Sequence, residues 1–187
     1  MRRGRRGEHG AALVEAAIIT PVVLLLIMGM IEFGLLFRDY LTVANTTRSG
    51  ARVGSAAGSD SGADYDILQS VRGASSALDD DTIEQIIIFK ATSPTGGVPE
   101  ACKTTTVADV CNRYTTSDLT RPENQFGCGS TAPDRFWCPA GRVDRQSGPP
   151  DWVGVYVKVR HHYVTGMFGS TRMIEDTTIM RLEPKRQ

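Results

Sequence analysis

Apolar and polar positions divide this chain into stretches of different character. MRRGRRGEHG is short and polar, and AALVEAAIITPVVLLLIMGMIEFGLLF follows at once, apolar except for Glu15 and Glu32. Residues 16–37 carry Glu32 as their single charge. As a helix they cover roughly 33 Å at about 1.5 Å per residue, enough for the ~30 Å hydrocarbon core of a bilayer. Helical spacing continues past that run, because Tyr40, Ala44, Thr47 and Ala51 recur on one face. The pattern predicts one helix over 11–57, roughly 70 Å long. Gly50, Gly54 and Gly58 fall on one stripe near its end. Glycine weakens a helix by about 1 kcal/mol against alanine, so the stripe marks either close approach of another backbone or a fraying end.

A Ser/Gly/Asp break at 59–63 separates this helix from a second, predicted over 64–78. Its apolar side is Ile67, Leu68, Val71, Ala74 and Leu78, and Asp64 is placed to cap its start. Asp79, Asp80 and Asp81 close it as a solvated turn, without the alternating ligand spacing of a calcium loop. IEQIIIFK at 83–90 is a short, β-branched buried strand. Val153, Val155, Val157 and Val159 alternate with Gly154, Tyr156, Lys158 and Arg160, which predicts a strand over 152–164 with one face buried. After the turn GMFGS, a strand over 171–182 puts Ile174, Met180 and Leu182 on one face. The last two strands form an antiparallel hairpin, and 83–90 joins them. The fold class is α+β: a long N-terminal transmembrane helix continuing outside the membrane, a second helix, and a small antiparallel sheet whose apolar face the helices cover.

Residues 91–151 show little periodicity and hold seven of the nine prolines and all four cysteines. A structureless loop of that length is unusual in a compact domain, so disulfide staples are expected, with a short extra hairpin. The order is C-x8-C-x16-C-x9-C at Cys102, Cys111, Cys128 and Cys138. An even count in an exported region predicts two disulfides. Three pairings are possible, and short loops close most easily, which favours Cys102–Cys111 and Cys128–Cys138. Zinc is the rival reading, but no C-x2-C knuckle is present.

Charge changes the picture at the start of the chain. Arg2, Arg3, Arg5 and Arg6 precede the span, and such flanks stay in the cytoplasm. The expected arrangement is a 1–10 cytoplasmic leader, an 11–37 span and a 38–187 extracytoplasmic domain of about 150 residues, with 91–151 as an insertion. An ordinary secretory signal has a shorter apolar core, and Thr42-Val43-Ala44 is a poor cleavage site. Lysine and arginine together number 21, as do aspartate and glutamate, so no basic face for nucleic acid is implied. No G-x-S-x-G, H-E-x-x-H or phosphate-binding glycine loop occurs, and no catalytic site or cofactor is expected. His161 and His162 are consecutive on a strand and point to opposite faces, which makes them poor joint ligands and ordinary surface residues.

Glu15 needs an explanation, because a carboxylate near the bilayer centre costs about 2.5–3.5 kcal/mol. Cleavage after Gly10 would make Ala11 a charged N-terminus and Glu15 the fifth mature residue, one helical turn in. There the helix dipole favours a negative charge, and a neighbouring subunit's free amine could pair with it and set axial register. Glu32 lies near the outer edge, with snorkelling and helix packing as its two readings. Pro21 removes one helix hydrogen bond, with a kink in the span and simple tolerance inside the membrane as its two readings.

A basic leader, Gly10, and an apolar helix with Glu15 at its fifth position resemble a class III prepilin leader. GAALVEAAIITPVVLLLIMGMIEFGLLF and TRSGARVGSAAG together resemble the TadE-like family of minor pseudopilins from tight-adherence (Flp-type) pilus systems. Arg48, Gly50, Ala51 and Arg52 stand where the family has a similar Arg-x-Gly-Ala-Arg, and TTIMRLEP is similar to its end. Ala16 departs from the aromatic residue that prepilins of this system often place after the glutamate. The resemblance implies a non-catalytic, single-pass membrane subunit, cut by a prepilin peptidase between Gly10 and Ala11. Its implied partners are other pilin-like subunits, an inner-membrane assembly platform and membrane lipid. A single-pass surface protein with a disulfide-stapled binding domain is the competing expectation.

Overall fold

A computed structural model describes residues 8–78, 82–144 and 149–183. The leader arginines and Asp79, Asp80 and Asp81 lie outside the described residues. Helix α1 runs over Glu8–Ala57 without interruption, 50 residues and roughly 75 Å long. It lives in two environments. From residue 10 to residue 31 it stands clear of the rest of the protein, and Leu13, Ile18, Leu24 and Met30 are all more than half exposed. Contacts with the folded domain begin at Glu32, inside the 11–37 stretch that hydropathy assigns to the span. Farther along, Val43, Ala44, Thr47 and Ala51 are buried, whereas Tyr40 is half exposed.

The glycine stripe resolves into two roles. A Cβ on Gly50 would lie 3.1 Å from Val71 and 3.2 Å from Val155, and one on Gly54 would lie 2.8 Å from Ile67. Those two let α1 press against its neighbours. Gly58 instead takes φ +58° and ends the helix, the left-handed position that glycine occupies at least cost.

Helix α2 spans Ala63–Ala74, shorter than the predicted 64–78. Past Val71 it meets Gly73 and then Ser75, whose hydroxyl turns back to the Arg72 carbonyl, a local bond that competes with helix continuation. Ile67, Leu68 and Val71 are buried as expected. Strands β1 (Ile83–Ala91), β2 (Cys111–Tyr114), β3 (Trp152–His162) and β4 (Thr171–Arg181) form one antiparallel sheet in the order β2-β1-β3-β4. Helices α1 and α2 cover one face. The buried valines of β3 meet Val43, Ala51, Ile67, Leu68 and Val71 there, with Ile174 and Leu182 completing the layer.

The 91–151 segment is more ordered than its sequence suggests. It supplies the short helix α3 (Glu100–Thr104) and β2, which pairs with β1 rather than forming a hairpin of its own. Cys102–Cys111 and Cys128–Cys138 are the two disulfides, the pairing that short loops favour. The first brings α3 over the second face of the sheet, where Ile87, Phe89, Ala91, Cys102, Cys111 and Tyr156 form a smaller core. The expectation of one buried face for β3 is therefore corrected, since Gly154 and Tyr156 are also buried. Gly154 lies opposite Phe89, and a Cβ there would come within 2.3 Å of that ring.

Asp64 is not the cap of α2. Gly62 occupies that position, and the Asp64 side chain points inward and is fully buried. It accepts hydrogen bonds from Asn112 at 2.8 Å and the Tyr114 hydroxyl at 2.6 Å, and pairs with Arg142 at 2.5 Å. Asn112 also exchanges bonds of 2.9 Å with the Trp137 backbone in both directions, and the Arg142 guanidinium lies 4.0 Å above the Trp137 ring. Burial and the neighbouring carboxylate push the Tyr114 phenol well above its usual range, so it stays a donor. The cluster thus fastens three distant parts of the chain: α2, β2 and the second disulfide loop.

Two stability predictions follow from this packing. Gly154→Ala drives a methyl into a rigid ring and should destabilise by about 1–3 kcal/mol, read as a lower thermal midpoint in detergent. Asp64→Ala leaves a buried guanidinium without its partner and should cost about 3–5 kcal/mol in the same assay with both disulfides intact.

Candidate functional site

The residues singled out from sequence fall in two places on α1. Gly10, Ala11 and Glu15 lie on the bare part of the helix, all exposed, and Pro21 sits within it without ending it. Among the described residues none pairs with Glu15. Its carboxylate therefore stands on a helix surface that is otherwise almost wholly apolar.

Glu32 is at the other end of that bare stretch, and its environment differs from the snorkelling reading. Its side chain is fully buried, and it does not snorkel. It accepts hydrogen bonds from two consecutive backbone amides, Val164 at 3.1 Å and Thr165 closer still. Those amides belong to the turn between β3 and β4. The diversion of the Val164 amide to Glu32 explains why β3 stops at His162 rather than 164. Glu32 is thus a polar clasp between helix and hairpin. Around it, the Phe33 and Phe168 rings meet at 5.1 Å, and Tyr163 lies 6.2 Å from Phe168.

A second clasp lies two turns farther along. Nδ1 of His161 is 2.7 Å from a carboxylate oxygen of Asp39, and His161 is buried while His162 is exposed. His161 is accordingly not a surface residue; sequence periodicity gave its face but not the aspartate that faces it. Arg38 donates to the Ala77 carbonyl beyond the end of α2. Farther up, the Thr47 hydroxyl contacts Asp176 at 2.5 Å and Thr178 at 3.0 Å on β4, and the Ser55 hydroxyl donates to the Arg181 carbonyl at 2.6 Å. A row of polar side chains therefore fixes the upper half of α1 to the hairpin.

Between α1 and the outer edge of β4 lies an open cavity of about 670 Å³, lined by Phe33, Leu36, Phe37, Tyr40 and the start of β4. Among the described residues, no three His, Cys, Asp or Glu side chains converge to hold a metal ion. The arrangement suits helix packing and attachment.

The architecture is that of a helix long and apolar enough to cross a membrane, with a mean hydropathy of 2.5 over its most apolar window, carrying an α+β domain on its far half. This supports a single-pass membrane protein. Residues 10–52 match the family model described as TadE-like protein. The match takes in Glu15, Pro21, Glu32 and Asp39. It closes on the Arg48–Arg52 motif, where Gly50 and Ala51 face the core and both arginines face outward. The sheet and TTIMRLEP lie beyond it. No curated protein and no solved structure matches the chain.

Replacing Glu32 tests the clasp. Glu32→Ala should cost about 1.5–3 kcal/mol, the usual range for hydrogen bonds to a charged group, and should speed hydrogen exchange at the Val164 and Thr165 amides while leaving the middle of β3 protected.

Proposed function

We propose that this protein is a minor pseudopilin of a tight-adherence type pilus or related secretion apparatus, a non-catalytic subunit held in the cell membrane by α1. The N-terminus faces the cytoplasm and the folded domain lies outside. A prepilin peptidase cuts between Gly10 and Ala11. The new amine and the Glu15 carboxylate of adjacent subunits then pair as their apolar helices come together, and this fixes their axial register.

One observation carries the reading. The TadE-like match begins at Gly10, and five positions later Glu15 stands exposed on an apolar helix with no partner among the described residues. A carboxylate in that setting is unfavourable by about 2.5–3.5 kcal/mol until something neutralises it, and the new N-terminus of a neighbouring subunit is the cation the scheme supplies. Pilin-like subunits and an inner-membrane platform are the partners this function requires. A single-pass surface protein with a disulfide-stabilised binding domain remains the second reading, favoured by the stapled 91–151 segment, which is outside the family match.

The intact mass of protein extracted from its native membrane separates the two. The pseudopilin reading expects a chain beginning at Ala11, uncut protein in Gly10→Lys, and loss of assembly but normal cutting in Glu15→Ala. A mass that retains the arginines, or assembly indifferent to Glu15→Ala, would favour the tethered surface protein.

A further inference from the structure

The tip of the β3–β4 hairpin is apolar and open. Val164 is 73% exposed, Met167 45% and Phe168 49%. Turns between strands are ordinarily built from polar and small residues, and Gly166 and Gly169 are the only such break in this apolar tip beside Thr165 and Ser170. The patch is continuous with the bare part of α1. Phe168 packs against Phe33, itself 59% exposed, and Phe33 directly follows the stretch that ends at Ile31 and Glu32. Residues 10–31 measure roughly 33 Å as a helix, which matches a ~30 Å hydrocarbon core. A bilayer fitted to that bare stretch therefore has its outer boundary at the level of the hairpin tip.

Two further features suit that position. Backbone amides exposed to hydrocarbon are unfavourable by several kcal/mol each, and two amides of this turn are taken up by the Glu32 carboxylate of the helix itself. Arg38, His162 and Arg172 are exposed around the base of the hairpin, where cationic and amphipathic side chains meet lipid headgroups.

The geometry points to the hairpin tip, Val164 to Phe168, as a second lipid contact, seated in the outer acyl boundary of the same bilayer that α1 crosses. The inference rests on α1 spanning that bilayer. The domain then touches the membrane at two places, the helix and the hairpin, and Glu32 joins them.

The test uses the full chain carrying Phe168→Trp or Met167→Trp in phosphatidylethanolamine–phosphatidylglycerol vesicles. A fraction of the lipid bears a doxyl quencher near the carbonyl end of its acyl chain. Trp137 is buried in the domain, and Trp152 begins β3, roughly 33 Å from His162 at about 3.3 Å per residue, so the parent protein gives an unquenched baseline. The added emission of both variants should be blue-shifted and largely lost with quencher lipid, and retained with plain lipid. Red-shifted, unquenched emission from protein that resists carbonate extraction would place the tip in water with the span intact and overturn the proposal. Blue-shifted but unquenched emission would mean that protein, such as a second copy, covers the tip, and would overturn it too. Release by carbonate would remove the span on which it rests.

Discussion

The hold of the Glu32 carboxylate on the turn between β3 and β4 decides where on α1 the folded domain begins. Below it, Glu15 apart, the helix offers an almost wholly apolar surface to its surroundings. Above it every turn is engaged, through Asp39 with His161, Thr47 with Asp176 and Thr178, and Ser55 with the Arg181 carbonyl. The core of Val43, Ala51, Ile67 and the β3 valines fills the space between these polar contacts. Apolar burial supplies the driving force, but it is indifferent to small slips along the helix. The hydrogen-bonded pairs are directional, and they set the height of the sheet on its stalk.

Much of this was legible in the sequence because the relevant signals are local. The apolar run, the small residues at Gly50, Ala51 and Gly54, and the alternating valines of β3 each announce their element within a dozen residues. The disulfide pairing followed from loop length. What escaped was non-local. Asp64 stands where a capping residue would stand, and its partner Arg142 is 78 positions away. Asp39 and His161 are 122 apart, and Glu32 and Val164 are 132 apart. No window along the chain contains both members of such a pair. The cover that α3 and the first disulfide give to the second sheet face was hidden for another reason, since a short helix and a four-residue strand leave no periodic trace.

The family match and the fold divide the molecule differently. The match covers the bare helix and the start of its buried half, up to Arg52. The 91–151 segment, outside the match, is tied to the rest of the fold by the pairing of β2 with β1 and by a charged cluster, Asp64 with Arg142, Asn112 and Tyr114. A buried pair of this kind contributes little net stability but is costly to break, which makes it a fastener rather than a source of folding energy.

Because α1 continues from the bare segment into the domain without a break, the stalk behaves as a stiff lever. The part from Glu32 to Ala57 is roughly 39 Å long at about 1.5 Å per residue. A tilt of about 20°, ordinary for a membrane helix, would sweep its upper end sideways by roughly 13 Å. Small rotations imposed by a neighbouring helix on the greasy segment just below Glu32 are thereby magnified into large displacements of the sheet.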